Sequence, residues 1–300
     1  MDTKQIEYIL RIAEERNITH AAEKLFITPS ALNQQLLKLE KELGTQLFYR
    51  FRNDCQPTKT GEIYLQNARE MLRIKRETYS MIADVSATQK GRLSVGFTPG
   101  RGIVMFTEVY PAFHHLHPDI IVEPTELSVR NQQNLISRGE LDIGFVTLSE
   151  KQKTGDEYIT LCEEDIVLAI PSGHPLGTLA APPGAPLSEL DISLLKYEPF
   201  VLMYKESTIR NMVDDIFRQA EFTPNVLFET SNTTTIVAMI RSNLCCGVIP
   251  RYYTKGVEGM ACFYLPSHPT WKVAASYRRA SYLSKAAKDF IRLASDYWSE

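Results

Sequence analysis

The stretch Ile18–Leu37, ITHAAEKLFITPSALNQQLL, constrains this chain more than any other, and it reads as two short helices joined by a tight turn. Thr19 is placed to cap the first helix, HAAEKLF, in which Ala21, Ala22 and Leu25 offer small or apolar packing positions. Thr28 and Pro29 open the second. A hydroxyl at the N-cap accepts from freed backbone N–H groups, and proline at the first helical position withholds no donor that the helix needs. Leu32, Leu36, Leu39 and Leu43 recur at helical spacing, and Gly44 supplies the stop. That stripe turns Ser30, Gln34, Lys38 and Lys41 away from the core, with Asn33 and Gln35 on its flanks. Amides can read adenine edges in the major groove and lysine neutralises phosphate, so the second helix is a candidate DNA reader. An ordinary helical hairpin with a solvated face shows the same pattern. The rest of the chain has to decide between them.

The chain of 300 residues is long enough for two or three domains, and 44% hydrophobic with 23% charged residues is ordinary for a globular protein. No apolar run approaches the roughly 20 residues of a membrane span. The opening MDTKQIEYIL is polar and then amphipathic, unlike a signal peptide, so the expected location is the cytoplasm. Net charge is −3, yet residues 1–90 carry 14 Lys+Arg against 12 Asp+Glu, while the remainder carries 19 against 24. The sign of that asymmetry fits a DNA-contacting N-terminus on a mildly acidic sensor. Cys55, Cys162, Cys245, Cys246 and Cys262 form no C-x-x-C pair, and adjacent cysteines make poor disulfide partners. Reduced thiols are expected.

Before the hairpin, residues 3–16 place Ile6, Ile9, Leu10 and Ala13 on one helical stripe. After Gly44, Leu47 and Phe48 are apolar anchors, Asn53–Asp54 is a turn signal and Pro57 ends the excursion. This predicts a small wing, with Arg50 and Arg52 placed to reach phosphate or a narrow minor groove. A long helix is predicted from Glu62 to Thr88. Leu65, Ala68, Leu72, Tyr79 and Ile82 form its apolar stripe, interrupted at Lys75. Such a stripe is a coiled-coil seam or a face lying on the helix's own domain.

The run ITHAAEKLFITPSALNQQL, LEKELGTQLFYR and PTKTGEIYL resembles the LysR-type transcriptional regulators, in register from Ala21–Ala22 through Ser30–Ala31–Leu32, Leu39–Glu40 and Leu47–Phe48 to Arg50. Thr58…Gly61 matches the family's T-x-x-G at the start of its linker helix. The resemblance implies a winged helix-turn-helix (residues 1–59) and a linker helix that pairs subunits (60–90). It implies DNA contacts at Thr28, Pro29, Ser30, Asn33, Gln34, Gln35, Lys38, Arg50 and Arg52. The family's reading helix usually begins Ser-Gln-Pro and carries an arginine, which this chain lacks, so its base preference does not carry over. Leu37 lies off the core stripe without an evident partner.

Residues 91–300 alternate strand-like and helix-like segments, an α/β signature. RLSVGF, IIVEPTEL, LDIGFVT, EDIVLAIP, FVLM, LCCGVIP and WKVAASYRR read as strands. Helices are predicted around MFTEVYPAFHHLH, VRNQQNLISRG, TIRNMVDDIFRQAE, TTTIVAMIRSN and SYLSKAAKDFIRLASDYW. GRLSVGFTPG, GELDIGFV, IPSGHPL and the VIP turn extend the family resemblance over nearly the whole chain. It implies an effector domain of two Rossmann-like lobes, like the type 2 periplasmic binding proteins, with lobe I at 91–163 and 265–300 and lobe II at 164–264. Strands that end in turns feeding helix N-termini present backbone N–H groups to a small polar ligand. The candidate effector residues stand at those ends: Thr98, Pro99, Gly100, Arg101, Ser128, Thr147, Tyr204, Asn232 and Thr233. Arg101 suggests an anionic effector. Cys245 stands where the family commonly has glycine, and it reads as a buried apolar filler.

His114, His115 and His117 lack acidic or cysteine partners at metal-ligand spacing and read as solvated. GxSxG, P-loop and HExxH patterns are absent, and no carboxylate pair stands out, so the chain does not read as an enzyme, and no cofactor is expected. The expected partners are double-stranded DNA carrying an interrupted inverted repeat, a small effector, further copies of the chain as a dimer or tetramer, and RNA polymerase. Two rivals remain at this point: a solute-binding receptor of the same two-lobed fold, and a redox sensor acting through cysteine. The N-terminal 90 residues argue against the first, and thiol reactivity tests the second.

Overall fold

A computed structural model of the chain describes residues 2–51, 54–86, 90–182 and 184–299. They form two compact units, Met1–Gly91 with Ser137–Glu140, and Arg92–Ile136 with Leu141–Glu300.

The first unit opens with α1 (Thr3–Glu15), α2 (Ile18–Lys24) and α3 (Pro29–Leu43). Asn17, not Thr19, caps α2. Its amide oxygen accepts from the N–H groups of Thr19 at 2.8 Å and His20 at 3.2 Å, and a side-chain carbonyl two positions before Thr19 reaches two donors at once. Thr28 caps α3 as predicted, accepting from Ala31 N–H at 3.2 Å, and Gly44 ends it with φ +68°. Ile6, Ile9, Leu10 and Ile12 of α1 pack with Ala21, Ala22, Leu32, Leu36 and Leu39 in one core. Leu43, the fourth leucine of the stripe, is exposed at the helix end, as is Leu37.

The wing is an antiparallel pair, β1 (Phe48–Arg50) and β2 (Cys55–Pro57). Arg52 and Asn53 lie outside the described residues. The linker helix α4 spans Lys59–Val85, beginning earlier than predicted because Thr58 is its N-cap and accepts from Gly61 N–H at 3.0 Å. Thr88, the predicted end, is also outside the described residues. A Cβ on Gly61 would stand 2.0 Å from the carbonyl oxygen of Leu47, so only glycine lets the helix meet the wing strand this closely. The apolar stripe is not one seam. Leu65 and Ala68 are buried in the helical core and Leu72 packs partly against it, whereas Tyr79 and Ile82 are exposed. Lys75 donates to Thr3 Oγ1 at 3.1 Å, so its place in the stripe is a tie to the start of α1.

The second unit comprises β3 (Gly91–Phe97), α5 (Arg101–Leu116), β4 (Ile120–Glu126), α6 (Val129–Ser137), β5 (Ile143–Leu148) and β6 (Glu157–Pro171). It continues through β7 (Pro199–Met203), α7 (Thr208–Gln219), β8 (Asn225–Thr230), α8 (Thr233–Arg241), β9 (Gly247–Pro250), β10 (Met260–Tyr264), β11 (Thr270–Tyr277) and α9 (Lys285–Ser299). Among the described residues a seven-stranded sheet runs β10-β6-β11-β5-β3-β4, with β9 also paired to β6, and β7 and β8 form a separate parallel pair.

The first part of β6 (157–165) lies along β11, and its second part (166–171) lies between β9 and β10. One strand therefore serves two hydrophobic cores. One core gathers Phe97, Phe113, Phe145 and Phe290, and the other gathers Phe200, Phe217, Phe263 and Trp271. The sequence pattern marks only the later part of β6, since EYITLCEED lacks a clean alternation, and it marks neither β8 nor β10. His117 corrects the expectation of a solvated histidine: it is buried, with Nε2 3.0 Å from Asp289 Oδ2 of α9.

Candidate functional site

Two places collect the candidate residues. The first is α3. Its leucines are buried on one side, and Thr28, Pro29, Ser30, Gln34 and Lys38 are exposed on the other, with Asn33 and Gln35 half-buried between. Arg50 behaves differently from the sequence expectation. Its Nη2 donates to Glu40 Oε2 at 2.7 Å and its Nη1 to Asn33 Oδ1 at 3.2 Å. Glu40 is itself buried and accepts from the backbone N–H of Leu47 at 2.8 Å through its other oxygen. Arg50 and Glu40 thus bolt the root of the wing to α3, and Asn33 has one amide oxygen engaged there. A guanidinium held by a buried carboxylate is less available to phosphate than a free one.

The second is a cleft in the second unit with about 600 Å³ of space between its walls, part of it open to solvent. Thr98, Pro99, Arg101, Ser128, Thr147, Tyr204 and Thr233 all line it, so seven of the nine predicted positions meet in one place although they come from separated segments. Gly100 and Asn232 do not line it. Gly100 is the N-cap of α5 with φ +74°, and the Asn232 side chain accepts from Thr234 N–H at 2.9 Å to cap α8.

The cleft also holds residues that the sequence pattern did not single out: Met203, Glu206, Ser207, Thr208, Ser231, Tyr253 and Trp271. The Ser207–Thr208 pair at the head of TIRNMVDDIF is a readable cap signal. Tyr253 and Trp271 carry none, because they reach the cleft only through the pairing of β9 and β11 with β6.

Neither α5 nor α7 has a side-chain cap, so the first N–H groups of both helices are left for solvent or a ligand. Thr208 Oγ1 donates to the Thr147 carbonyl at 2.8 Å, tying the head of α7 to the end of β5. Burial pushes the Tyr253 phenol above its ordinary value, which keeps it a neutral donor.

Arg101 does not offer the free cation that its sequence position suggested. It is 7% exposed and ion-paired with Glu164 of β6. The rings of Tyr252 and Trp298 lie 4.4 and 4.2 Å from the guanidinium carbon. Glu164 also accepts from Trp271 Nε1 at 2.8 Å and from Tyr252 N–H at 2.7 Å. With this charge already matched, any pull on an anion comes from the helix N-termini, and Glu206 on the same wall opposes it.

All five cysteines are free thiols, and Cys245 and Cys246 are buried. Burial pushes the Cys245 thiol up to about 11 and the Cys246 thiol up to about 12. A reactive sensor thiol needs the opposite shift. Among the described residues no cluster of metal-ligating side chains occurs, and no helix is long and apolar enough to cross a membrane.

Known proteins share this architecture. Residues 3–62 match the family model described as bacterial regulatory helix-turn-helix protein, lysR family, and residues 86–299 match the LysR substrate binding domain. The Hca operon transcriptional activator HcaR of Escherichia coli is 26% identical over 99% of this chain and 98% of its own length. The uncharacterised HTH-type transcriptional regulator YwbI of Bacillus subtilis is also 26% identical, over 99% of this chain and 97% of its own. Among solved structures, a full-length OxyR variant from Pseudomonas aeruginosa superposes with a TM-score of 0.70 at 22% identity, covering 99% of this chain and 97% of the other. Full-length CbnR in complex with its target DNA gives 0.61 at 19%, covering 99% of both.

Proposed function

The chain belongs to the LysR family of transcriptional regulators, and we propose that it reads double-stranded DNA with α3 and answers to a small polar effector in the cleft. The observation that carries the DNA reading is the two-sidedness of α3. A capped, proline-started helix buries Leu32, Leu36 and Leu39 and leaves Ser30, Gln34 and Lys38 exposed at its start and middle. Hydroxyl and amide groups there face base edges, lysine faces phosphate, and a wing rooted by Arg50 and Glu40 flanks the groove. Thr28 and Pro29 set the helix start, and Asn33, Gln35 and Arg52 complete the contact surface.

The effector reading rests on hydroxyls and uncapped helix starts gathered in one cleft. We assign Thr98, Ser128, Thr147, Tyr204 and Thr233 as ligand contacts and Pro99, Gly100 and Asn232 as their supports. Arg101 holds the floor through Glu164. We divide the chain as a DNA reader (1–59), a linker helix (60–90), lobe I (91–163 and 265–300) and lobe II (164–264). The passage of β6 from one core to the other supports the lobe division.

On α4, Met71, Ile74, Met81 and Val85 are exposed and spaced by three, seven and four residues, with Thr78 filling the step between Ile74 and Met81. That is the alternating three-four pattern of a coiled-coil seam, and it supports a homodimer that presents two readers to an inverted repeat. RNA polymerase is the downstream partner that such a regulator addresses from inside the cell.

The test is selection of duplexes from a randomised library by the full-length protein. Lys38→Ala should weaken binding on selected and random duplexes alike and reduce the salt slope by about one. Gln34→Ala should instead change the preferred base at one position per half-site. Equal losses for both variants on both kinds of duplex would sink the assignment of α3.

A further inference from the structure

We propose that Phe26 is a further DNA-reading residue, an apolar contact to the 5-methyl group of a thymine beside the start of α3. Phe26 is 95% exposed, and its backbone has φ +54°. The turn explains the conformation. Phe26 N–H donates to Glu23 C=O and Ile27 N–H to Ala22 C=O, both at 3.1 Å, which is the Schellman closure of α2. The residue at that corner takes the left-handed conformation, and glycine is its usual occupant because a Cβ is unfavourable there. A bulky aromatic is a poor choice for the fold.

No packing offsets that penalty. Ile27, the next residue, is partly buried against the helical core, while the Phe26 ring is left in solvent. A strained backbone that carries an unburied aromatic serves something outside the chain. The sequence position says what. Two residues later Thr28 caps α3, and Thr28, Pro29 and Ser30 are all exposed. Thr28, Pro29 and Ala31 expose only small apolar groups at the start of α3, and the Phe26 ring extends that apolar surface with a partner suited to a thymine methyl. The inference rests on the DNA-reading proposal above.

The experiment uses the full-length protein and the duplex it selects from a randomised library. Phe26→Gly should raise the melting temperature, since glycine suits the turn, and should weaken binding to the selected duplex by about fivefold to tenfold. Replacing individual thymines by uracil, which removes only the methyl, should weaken the wild type at one position per half-site and leave Phe26→Gly unaffected there. Phe26→Leu should recover part of the affinity. A Phe26→Gly protein that is more stable yet binds the selected duplex as tightly as the wild type overturns the inference alone. So does a thymine-to-uracil effect of the same size in both proteins, or a loss of affinity that follows from a changed oligomeric state on sedimentation. If the wild type selects no duplex at all, both this inference and the DNA reading fall.

Discussion

Arg101 and Glu164 form a buried ion pair near the point where β6 passes from its pairing with β11 to its pairing with β9 and β10. Arg101 begins α5, Trp271 and Tyr252 share the Glu164 carboxylate, and Trp298 of α9 covers the guanidinium. Three separated segments and the crossover strand therefore meet on one carboxylate. Breaking one side of such a pair leaves an uncompensated buried charge. Glu164→Gln should destabilise the protein by about 3–5 kcal/mol, and Arg101→Met with Glu164→Gln together should cost less than the two singles summed. Denaturant unfolding of the three variants checks this. Strictly additive losses would mean that the pair does not act as a unit.

Gly61→Ala pits two effects against each other. Alanine favours the helix by about 1 kcal/mol over glycine, but here its Cβ would meet a backbone oxygen that cannot rotate away. The clash should win, with a net loss of about 2 kcal/mol or more. A melting temperature at or above that of the wild type would show that the wing and α4 can part without penalty.

The exposed seam of α4 and the stripe read from sequence make different predictions for self-association. Met81→Lys should raise the dimer dissociation constant by roughly tenfold or more, whereas Tyr79→Lys, off the seam, should change it little. Sedimentation across a concentration series distinguishes them, and the reverse order would restore the stripe through Tyr79 and Ile82.

The buried thiols predict an alkaline instability. The Cys246 thiol is pushed up from 9.0 to about 12 by burial first, with the nearby Glu198 charge adding to it. Its folded value lies above its unfolded one, so its contribution is fully present below about pH 9 and is lost as pH rises towards 12. Cys246→Ala should flatten the fall in stability across that window. In the native protein at about pH 8, Cys245, Cys246 and Cys262 should resist alkylation until denaturant is added, because the thiolate is the reacting form. Rapid native labelling of Cys245 would reopen a redox role.

The local grammar of this chain is legible in its residues alone. Thr28, Pro29 and Gly44 bound α3, the leucines Leu32, Leu36 and Leu39 mark its buried side, and Ser30, Gln34 and Lys38 mark its open one, because caps and periodicity act over a few residues. Strand ends marked by Thr98, Ser128, Thr147 and Tyr204 point to the cleft for the same reason. Tertiary structure alone decided the rest. Arg101 is matched by a carboxylate 63 positions away, Arg50 turns inward to Glu40, and Trp271 and Tyr253 reach the cleft only after β6 has paired on both sides. The α4 stripe divided because its early turns, through Leu65, Ala68 and Leu72, meet the helical core and its later turns do not. Long-range charge pairing and the choice of strand partners leave no periodic trace in sequence, so they are settled only when the segments meet.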